Sequence, residues 1–306
     1  MFDCGIDTPS RGTRTGAKLA GSRVLSAARQ VIKFSKRKPL GAVGGAVLVI
    51  MILIAILAPV ISPHEPSKVH ADDRFQAPSW TYPFGTDNLG QDMMSRLFYG
   101  ARLSLTVGII SVFFGITAGF SLGIITAYVG GAFDLVSQRV VDAMIAFPGI
   151  ILAMALLAAL GASVKNVIIA LVFVMIPPTV RAVRAEVLGI KEMDYVLSAR
   201  AVGCAPVRIM VRHIVPNVFA IYIILATITL GFAIIIEASL SFLGIGVQPG
   251  TPTWGGMLTN AVQQHIKTAP WMALGPGIAL AIVVFSINWL GDALRDVLDP
   301  RLRGAN

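Results

Sequence analysis

The segment between residues 181 and 217 is the part of this sequence whose residue types could form a contact with a soluble partner. It carries six of the chain's 25 basic residues, although strongly apolar segments lie on both sides. Its central part, residues 195–217, also contains the helix-breaking residues Gly203, Pro206 and Pro216. Because charged side chains are costly to bury in lipid, we expect this segment to lie outside the membrane and to contact another protein.

Two short helices that meet near Gly203 are predicted within this segment. Residues 192–202 favour helix, with apolar side chains at intervals of three and four. Gly203 suits a left-handed helix end, and Pro206 suits the first turn of a second helix. That second helix has apolar residues on one face and Arg208 on the other, and Pro216 argues against its direct continuation. Periodicity alone leaves two interpretations open, a protein-binding surface or an amphipathic hairpin against lipid phosphates.

Residues that could catalyse a reaction or bind a metal ion are scattered along the chain. The four histidines lie far apart, and no paired carboxylates or nucleophile with a partner base stand near the end of an apolar segment. Asp87, Asp92 and the residues between them do not fit the calcium-loop pattern. No glycine-rich loop ending in Gly-Lys-Ser or Gly-Lys-Thr is present, so ATP is not hydrolysed through that motif. The sequence therefore predicts neither catalytic residues nor a metal site.

Two acidic residues lie within apolar segments and are functional candidates for that reason. At 1.5 Å per helical residue, Glu237 lies about 31 Å from Pro216, close to the outer interface of a bilayer. This position favours an outer gate or an interhelical hydrogen bond over contact with a substrate. Asp142, near the inner end of the third apolar segment, receives the same interpretation.

The composition indicates an integral membrane protein. Of the 306 residues, 55% are hydrophobic and 13% are charged, whereas soluble domains contain about 25% charged residues. The net charge of +9 does not indicate nucleic-acid binding, because the basic residues cluster beside apolar segments, where they set membrane orientation.

Six segments are predicted to cross the membrane as helices, which gives an all-α polytopic fold. A helix needs about 20 predominantly apolar residues for this. The fourth segment contains Pro177-Pro178, so we expect that helix to be short or distorted. The six segments are residues 40–62, 103–128, 140–160, 163–181, 218–244 and 272–290.

The distribution of basic residues predicts that both termini are cytoplasmic. Nineteen of them fall in the tails and in the segments assigned to one side, against six in the other loops. The predicted organisation is then a basic tail at 1–39, a first span, an outside loop at 63–102, a five-helix core at 103–292 and a C-terminal tail at 293–306. The outside loop should contain an interfacial helix, which Asn88 and Gln91 would cap, and the core should contain a cytoplasmic coupling loop at 182–216.

Aligned on Gly203, the polar segment resembles the cytoplasmic EAA loop of the permease subunits of ABC importers. Leu197-Ser198-Ala199 stands in place of Glu-Ala-Ala, and Gly203 and Pro216 keep the spacing to the proline of that pattern. Other motifs are similar to the C-type permeases of the dipeptide, oligopeptide, glutathione and nickel group. These are Phe84-Gly85-Thr86-Asp87, Tyr99-Gly100-Ala101-Arg102, Phe147-Pro148, Ser241-Phe242-Leu243-Gly244, Trp254-Gly255 and Gly291-Asp292-Ala293-Leu294-Arg295-Asp296.

The resemblance implies a type I ABC-importer permease fold in a prokaryotic inner membrane, with no cofactor in this chain. It implies a heterodimer with a second permease, two ATP-binding subunits that hold ATP and Mg, an extracytoplasmic peptide-binding protein, surrounding membrane lipid and no nucleic acid. ATP-driven closure of the ATPase pair would push on the coupling loop. The coupling residues carried over are Tyr195, Val196, Leu197, Ser198, Ala199, Arg200, Gly203, Pro206, Arg208, His213, Pro216 and Asn217.

Departures from the family pattern and alternative functions accompany this prediction. Leu197 stands where the family usually has Glu, and Ala205 stands where a helix-capping Ser is common. Peptides are the expected substrate, with glutathione or nickel chelates as alternatives. An ion-coupled secondary transporter would need ion sites near the midplane and often internal repeats, and the sequence shows neither feature. A membrane enzyme would need a catalytic cluster, and the sequence shows none.

Overall fold

Helices form almost all of the regular structure of this chain in the part that is described. A computed structural model describes residues 35–248 and 250–298. No β-strand occurs among these residues, and a single 3₁₀ turn lies at Ala71–Asp73. The all-α fold is therefore confirmed. The helices are α1 Pro39–Ile61, α2 Met93–Val129, α3 Gly131–Ile145, α4 Gly149–Leu160, α5 Val164–Ile190, α6 Asp194–Ala201, α7 Pro206–Phe242, α8 Trp254–Asn260 and α9 Trp271–Leu298.

Five of these helices, α1, α2, α5, α7 and α9, are long and apolar enough to cross a membrane. Helices α3 and α4 meet at an angle of 89° and make a sixth span if the bent pair counts as one. The span predicted at 140–160 thus corresponds to the second part of α3 and to α4, and its bend was not predicted. The bend lies at Phe147-Pro148, where Pro148 adopts φ −54° and ψ 130° and starts the new helix.

The tandem prolines of α5 do not shorten that helix, so of the two predicted outcomes, a short or a distorted helix, the first is wrong. The helix runs for 27 residues through Pro177 and Pro178. Thr179, which follows them, packs so closely on α2 that a Cβ added at Gly119 would lie 2.6 Å from the Thr179 Cβ. Contact with a neighbouring helix of this kind lets a membrane helix tolerate lost backbone donors.

Pro216 does not interrupt α7 either. A π-turn at Met210–Ile214 precedes it, in which the Val215 N–H donates to the Met210 carbonyl five residues back. The helix widens before the proline and then continues to Phe242. The predicted break is therefore replaced by one continuous helix from the polar segment into the membrane-spanning part.

The long loop after α1 is ordered by hydrogen bonds among its own side chains. The Tyr82 hydroxyl donates to Asp73 Oδ2 at 2.8 Å, and Gln76 Nε2 donates to Asp73 Oδ1 at 2.6 Å. The pKa of Tyr82 is raised, first by its hydrogen bond to Asp73 and second by burial. Thr86 Oγ1 donates to the Asp73 carbonyl, so one aspartate organises the loop.

Asp92 starts α2, whereas the prediction assigned the cap to Asn88 and Gln91. The Asp92 carboxylate accepts hydrogen bonds from the backbone N–H groups of Met94 and Ser95. Gln91 instead donates to a loop carbonyl and accepts from Arg96. No separate interfacial helix forms, because Met93 is buried against residues of the α8–α9 region and α2 continues directly into the membrane-spanning part.

Close packing of α2 on α5 forms the centre of the described bundle. Gly115, Gly119 and Gly123 of α2 face Met175, Thr179 and Val183 of α5. Glycines at such intervals let two membrane helices approach closely. Apolar side chains from α2, α4, α5 and α7 fill the space around this contact.

We expect Gly119→Ala to destabilise the protein by about 1–3 kcal/mol, because its methyl group has no room between the two helices. Gly189→Ala adds the same methyl group to an exposed position of α5 with nothing within 4 Å, so it should be neutral or stabilising by up to about 1 kcal/mol. Thermal unfolding of the purified chain in detergent compares the two. Equal midpoints for the two variants would contradict the close packing.

Candidate functional site

The turn at Gly203 joins α6 to α7 and produces the bent pair that the sequence predicts. Gly203 has φ +81°, a conformation that side chains other than glycine rarely adopt. The Gly203 and Cys204 N–H groups donate to the carbonyls of Arg200 and Ala199 at 3.0 and 3.1 Å. Pro206 then begins α7, and its N-cap Ala205 provides no side-chain hydrogen bond. We call residues 194–214 the elbow.

One side of the elbow is buried against the membrane-spanning helices. Val196 of α6 and Ile209 and Ile214 of α7 are at most 1% exposed. They belong to one apolar cluster with residues of α2 and α5, which are Phe120, Ile124, Ala127, Val183, Val187 and Ile190. A displacement of the elbow must therefore displace α2 and α5 as well.

The opposite side of the elbow is its outward face. At 100° per residue, Asp194, Ser198 and Ala201 lie on the side of α6 opposite to the buried Val196, Leu197 lies at the edge of that side, and all four are exposed. Val207 and Val211 of α7 are also exposed. Ser198 and Ala201 are small, so another surface can approach α6 closely.

The predicted coupling residues divide between these two sides. Val196 is buried and Ala199 and His213 are half-buried, so these three residues position the elbow. The others are exposed, and some make local contacts. Arg200 lies 5.9 Å from the ring centroid of Tyr128, the Tyr195 ring lies 6.3 Å from that of His213, and Asn217 Nδ2 donates to the His213 carbonyl at 2.6 Å. The exposed residues are Tyr195, Leu197, Ser198, Arg200, Gly203, Pro206, Arg208, Pro216 and Asn217.

Ion pairs attach α3 to α5 near the elbow. Arg184 Nε and Nη2 donate to the two oxygens of Asp134 at 2.7 and 2.6 Å, and Arg181 pairs with Asp142. Sequence reasoning selected Asp142 but missed Asp134 and Arg184. These two residues are 50 positions apart, and no local pattern connects them. In addition, Lys191 Nζ donates to the Ala127 carbonyl at the end of α2.

Glu237 lies fully buried in α7 at the end of the bundle away from the elbow. Its Oε1 accepts a hydrogen bond from Ser241 Oγ at 2.9 Å. The Ser104 hydroxyl of α2 approaches the same carboxyl group, but neither Ser104 Oγ nor Glu237 Oε2 completes a hydrogen bond within the described residues. Beyond this carboxyl group, the buried Trp254 Nε1 of α8 donates to the Leu97 carbonyl of α2 at 3.1 Å.

Asp134→Asn should destabilise the protein more than Asp142→Asn. The Asp134–Arg184 pair is bidentate and mostly buried, and hydrogen bonds to charged groups contribute about 1.5–3 kcal/mol. Arg181 and Asp142 have side chains that are 53% and 49% exposed, so their pair should contribute about 0–1 kcal/mol. Thermal unfolding in detergent measures both. Recovery of stability in an Asp134→Arg/Arg184→Asp variant would confirm the pairing, and equal losses would contradict the difference in burial.

Comparison with known proteins agrees with this architecture. Residues 119–304 match the family described as binding-protein-dependent transport system inner membrane component. Residues 26–78 match the N-terminal TM domain of oligopeptide transport permease C. A chain in a structure of inward-facing conformations of the MetNI methionine ABC transporter shares the fold, with a TM-score of 0.56 and 21% identity over 68% of this chain and 98% of that chain.

Curated relatives cover nearly the whole sequence. A dipeptide transport system permease protein of Alkalihalophilus pseudofirmus is 41% identical over 90% of both chains. A glutathione transport system permease protein of Escherichia coli is 39% identical over 88% of this chain and 89% of its own length. A di/tripeptide transport system permease protein of Pseudomonas aeruginosa is 39% identical over 87% and 89%. With these matches, the chain belongs to the family of inner-membrane components of binding-protein-dependent transport systems and is a multi-pass permease of an ABC importer.

Proposed function

We propose that the chain is the transmembrane subunit of an importer that moves di- or oligopeptides across the inner membrane. The observation that carries this proposal is the elbow, which is buried on one side against α2 and α5 and exposed on the other. Two ATP-binding subunits, which hold ATP and Mg, would dock on the outward face. A second, different permease would complete the pathway, and an extracytoplasmic binding protein would deliver the peptide.

In this mechanism the elbow transmits force and contains no catalytic residue. Closure of the ATPase pair on ATP would push on α6 around Ala199 and Gly203. Because Val196, Ile209 and Ile214 are packed between α2 and α5, these helices would tilt with the elbow and expose a central cavity to the other side. Helix α3 would follow α5 through the Asp134 and Asp142 ion pairs. Asp142 would thus act as an interhelical residue.

The orientation follows from charge, with the elbow and both termini in the cytoplasm. The basic tail before residue 35 and the last residues after 298 lie outside the described part of the chain. Helix α9 extends to Leu298, so the described part of the predicted C-terminal tail is helical. Near this end, Lys38 Nζ pairs with Asp296 Oδ2 at 2.6 Å and links the start of α1 to α9.

The substrate assignment rests on the relatives. Two of them carry names that specify dipeptides or di/tripeptides. Glutathione is the second candidate, because a glutathione permease protein is 39% identical to this chain. Glutathione is itself a tripeptide, so the two assignments differ in the companion binding protein more than in the pathway.

Reconstitution with both ATPase subunits, the second permease and the binding protein tests the proposal. We expect the ATP turnover of the complex in proteoliposomes to rise when peptide-loaded binding protein is added. The same assay with glutathione-loaded binding protein distinguishes the second candidate. Ser198→Trp places a large ring on the outward face and should abolish co-purification with the ATPases, because Ser198 lies where the partner must approach.

Thr268→Trp is the matched control, since Thr268 is exposed in the loop before α9 and lies at the other end of the bundle. It should leave co-purification with the ATPases unchanged. Transport of solute by the chain alone down an ion gradient would contradict the importer mechanism.

At the outer end we propose that Glu237 holds a gate closed, with its carboxyl group bonded to Ser241 within α7 and facing Ser104 of α2. Glu237→Gln keeps an acceptor for Ser241 and adds a donor that can face Ser104, so uptake should stay within about twofold of the wild type. Glu237→Leu has a similar size without polar atoms and should lower coupled uptake by about tenfold, equivalent to the loss of about one hydrogen bond. Peptide uptake in proteoliposomes measures both. A Gln variant as defective as the Leu variant would show that the gate needs the charge.

A further inference from the structure

The outward face of α6 has a chemistry that the family pattern does not predict. Leu197 occupies the position that usually holds Glu, and it is 39% exposed in the described structure. The other outward residues of α6 are Asp194 at the helix start and the small Ser198 and Ala201. Leu197 and Tyr195 are the large apolar side chains that α6 exposes; the Tyr195 ring lies 6.3 Å from that of His213, whereas Leu197 lies one turn before Ala201 on the outward face.

The exposed leucine belongs to a mixed surface. Glu192 and Asp194, before and at the start of α6, are also exposed. More apolar surface continues onto α7, where Val207 and Val211 are 65% and 62% exposed. Such a surface, bounded by charged residues, is typical of a protein interface with an apolar centre and a polar rim.

The charged residues of the rim indicate the sign of the partner. Arg208 and Arg212 are exposed, and neither forms an ion pair with a described residue. Within the elbow, Arg200, Arg208 and Arg212 stand against a single acidic residue, Asp194. Charge complementarity across an interface favours acidic side chains on the surface that faces these arginines.

We propose that Leu197 is the anchor by which this permease selects its ATPase subunit, and that the receiving pocket on that subunit is apolar with an acidic rim. The inference rests on the proposed function, because it assigns the occupant of the outward face to the ATPase. A pocket built for a glutamate contains polar groups that a leucine would leave unpaired, whereas an apolar pocket excludes a glutamate by the cost of burying its charge. Leu197 thus makes the subunit pairing specific.

Co-purification of the complete four-subunit transporter in detergent tests this proposal. Leu197→Glu should reduce the amount of ATPase bound to the permease at least tenfold, and the loss should persist at high salt, because burial of the charge causes it. Leu197→Ala introduces no charge and should cause a smaller loss, of about threefold to tenfold. Because Leu197 is exposed, both variants should elute from size exclusion as the wild-type chain does.

Gly189→Glu is the control for the added charge. Gly189 lies at an exposed position of α5 with open space around it and outside the outward face, so the same carboxylate there should leave ATPase binding unchanged. If Leu197→Glu binds the ATPases as well as the wild type does, the proposal that Leu197 is the anchor is wrong, although the proposed importer function stands. If the wild type itself binds no ATPase, the proposed function fails, and the anchor fails with it.

A fluorophore at Val202→Cys, at the exposed end of α6 beside the outward face, in a chain with Cys4 and Cys204 replaced by alanine, distinguishes protein from lipid. Nitroxide-labelled lipids should leave this fluorophore unquenched in the assembled transporter, since the docked ATPase keeps lipid away from it. Strong quenching in the assembled transporter would assign the outward face to lipid and overturn the proposal.

Discussion

Burial of the elbow between α2 and α5 is the interaction on which the rest of the structure depends. Three aliphatic side chains, Val196, Ile209 and Ile214, are removed from solvent in one cluster. At about 1.5–3 kcal/mol for each side chain, this contact resists displacement of the elbow relative to the bundle. An elbow held so firmly can transmit a push, whereas a loose loop would absorb it. The close contact between α2 and α5 extends the same rigid unit towards the outer side.

The bent pair α3–α4 is attached to this unit in two different ways. Helix α4 buries Ala153 and Leu157 in the apolar cluster shared with α5, while α3 buries only Val141 among its residues and depends on ion pairs. Apolar packing fixes a position through many contacts, but ion pairs can form again after a small shift of the partners. This difference suits a span in which packing holds α4 in the core and ion pairs attach α3 to α5.

The end of the bundle away from the elbow is closed by small structural elements with little free space. Trp254 is fully buried against α2, and α8 packs so closely on α7 that Gly255 has no room for a side chain beside Ala238. Glu237 lies between this contact and the membrane-spanning core. A carboxyl group in such a place requires partners within the protein, because lipid offers none. The Ser241 hydroxyl of α7 donates a hydrogen bond to this carboxyl group, and the Ser104 hydroxyl of α2 faces it.

The sequence by itself determined the membrane class, the helical fold, the turn at Gly203 and the exposed polar segment. These properties follow from composition, from apolar length and from the backbone preferences of single residues, which act locally. Local rules failed at Pro177, Pro178 and Pro216, because packing between helices and a widened turn compensate for the missing donors. The tertiary structure alone decided that Asp134 meets Arg184, that Val196 faces inward while Leu197 faces outward, and where α3 bends away from α4. Each of these depends on contacts between residues far apart in the chain, and the periodicity of a single segment carries no information about its neighbours.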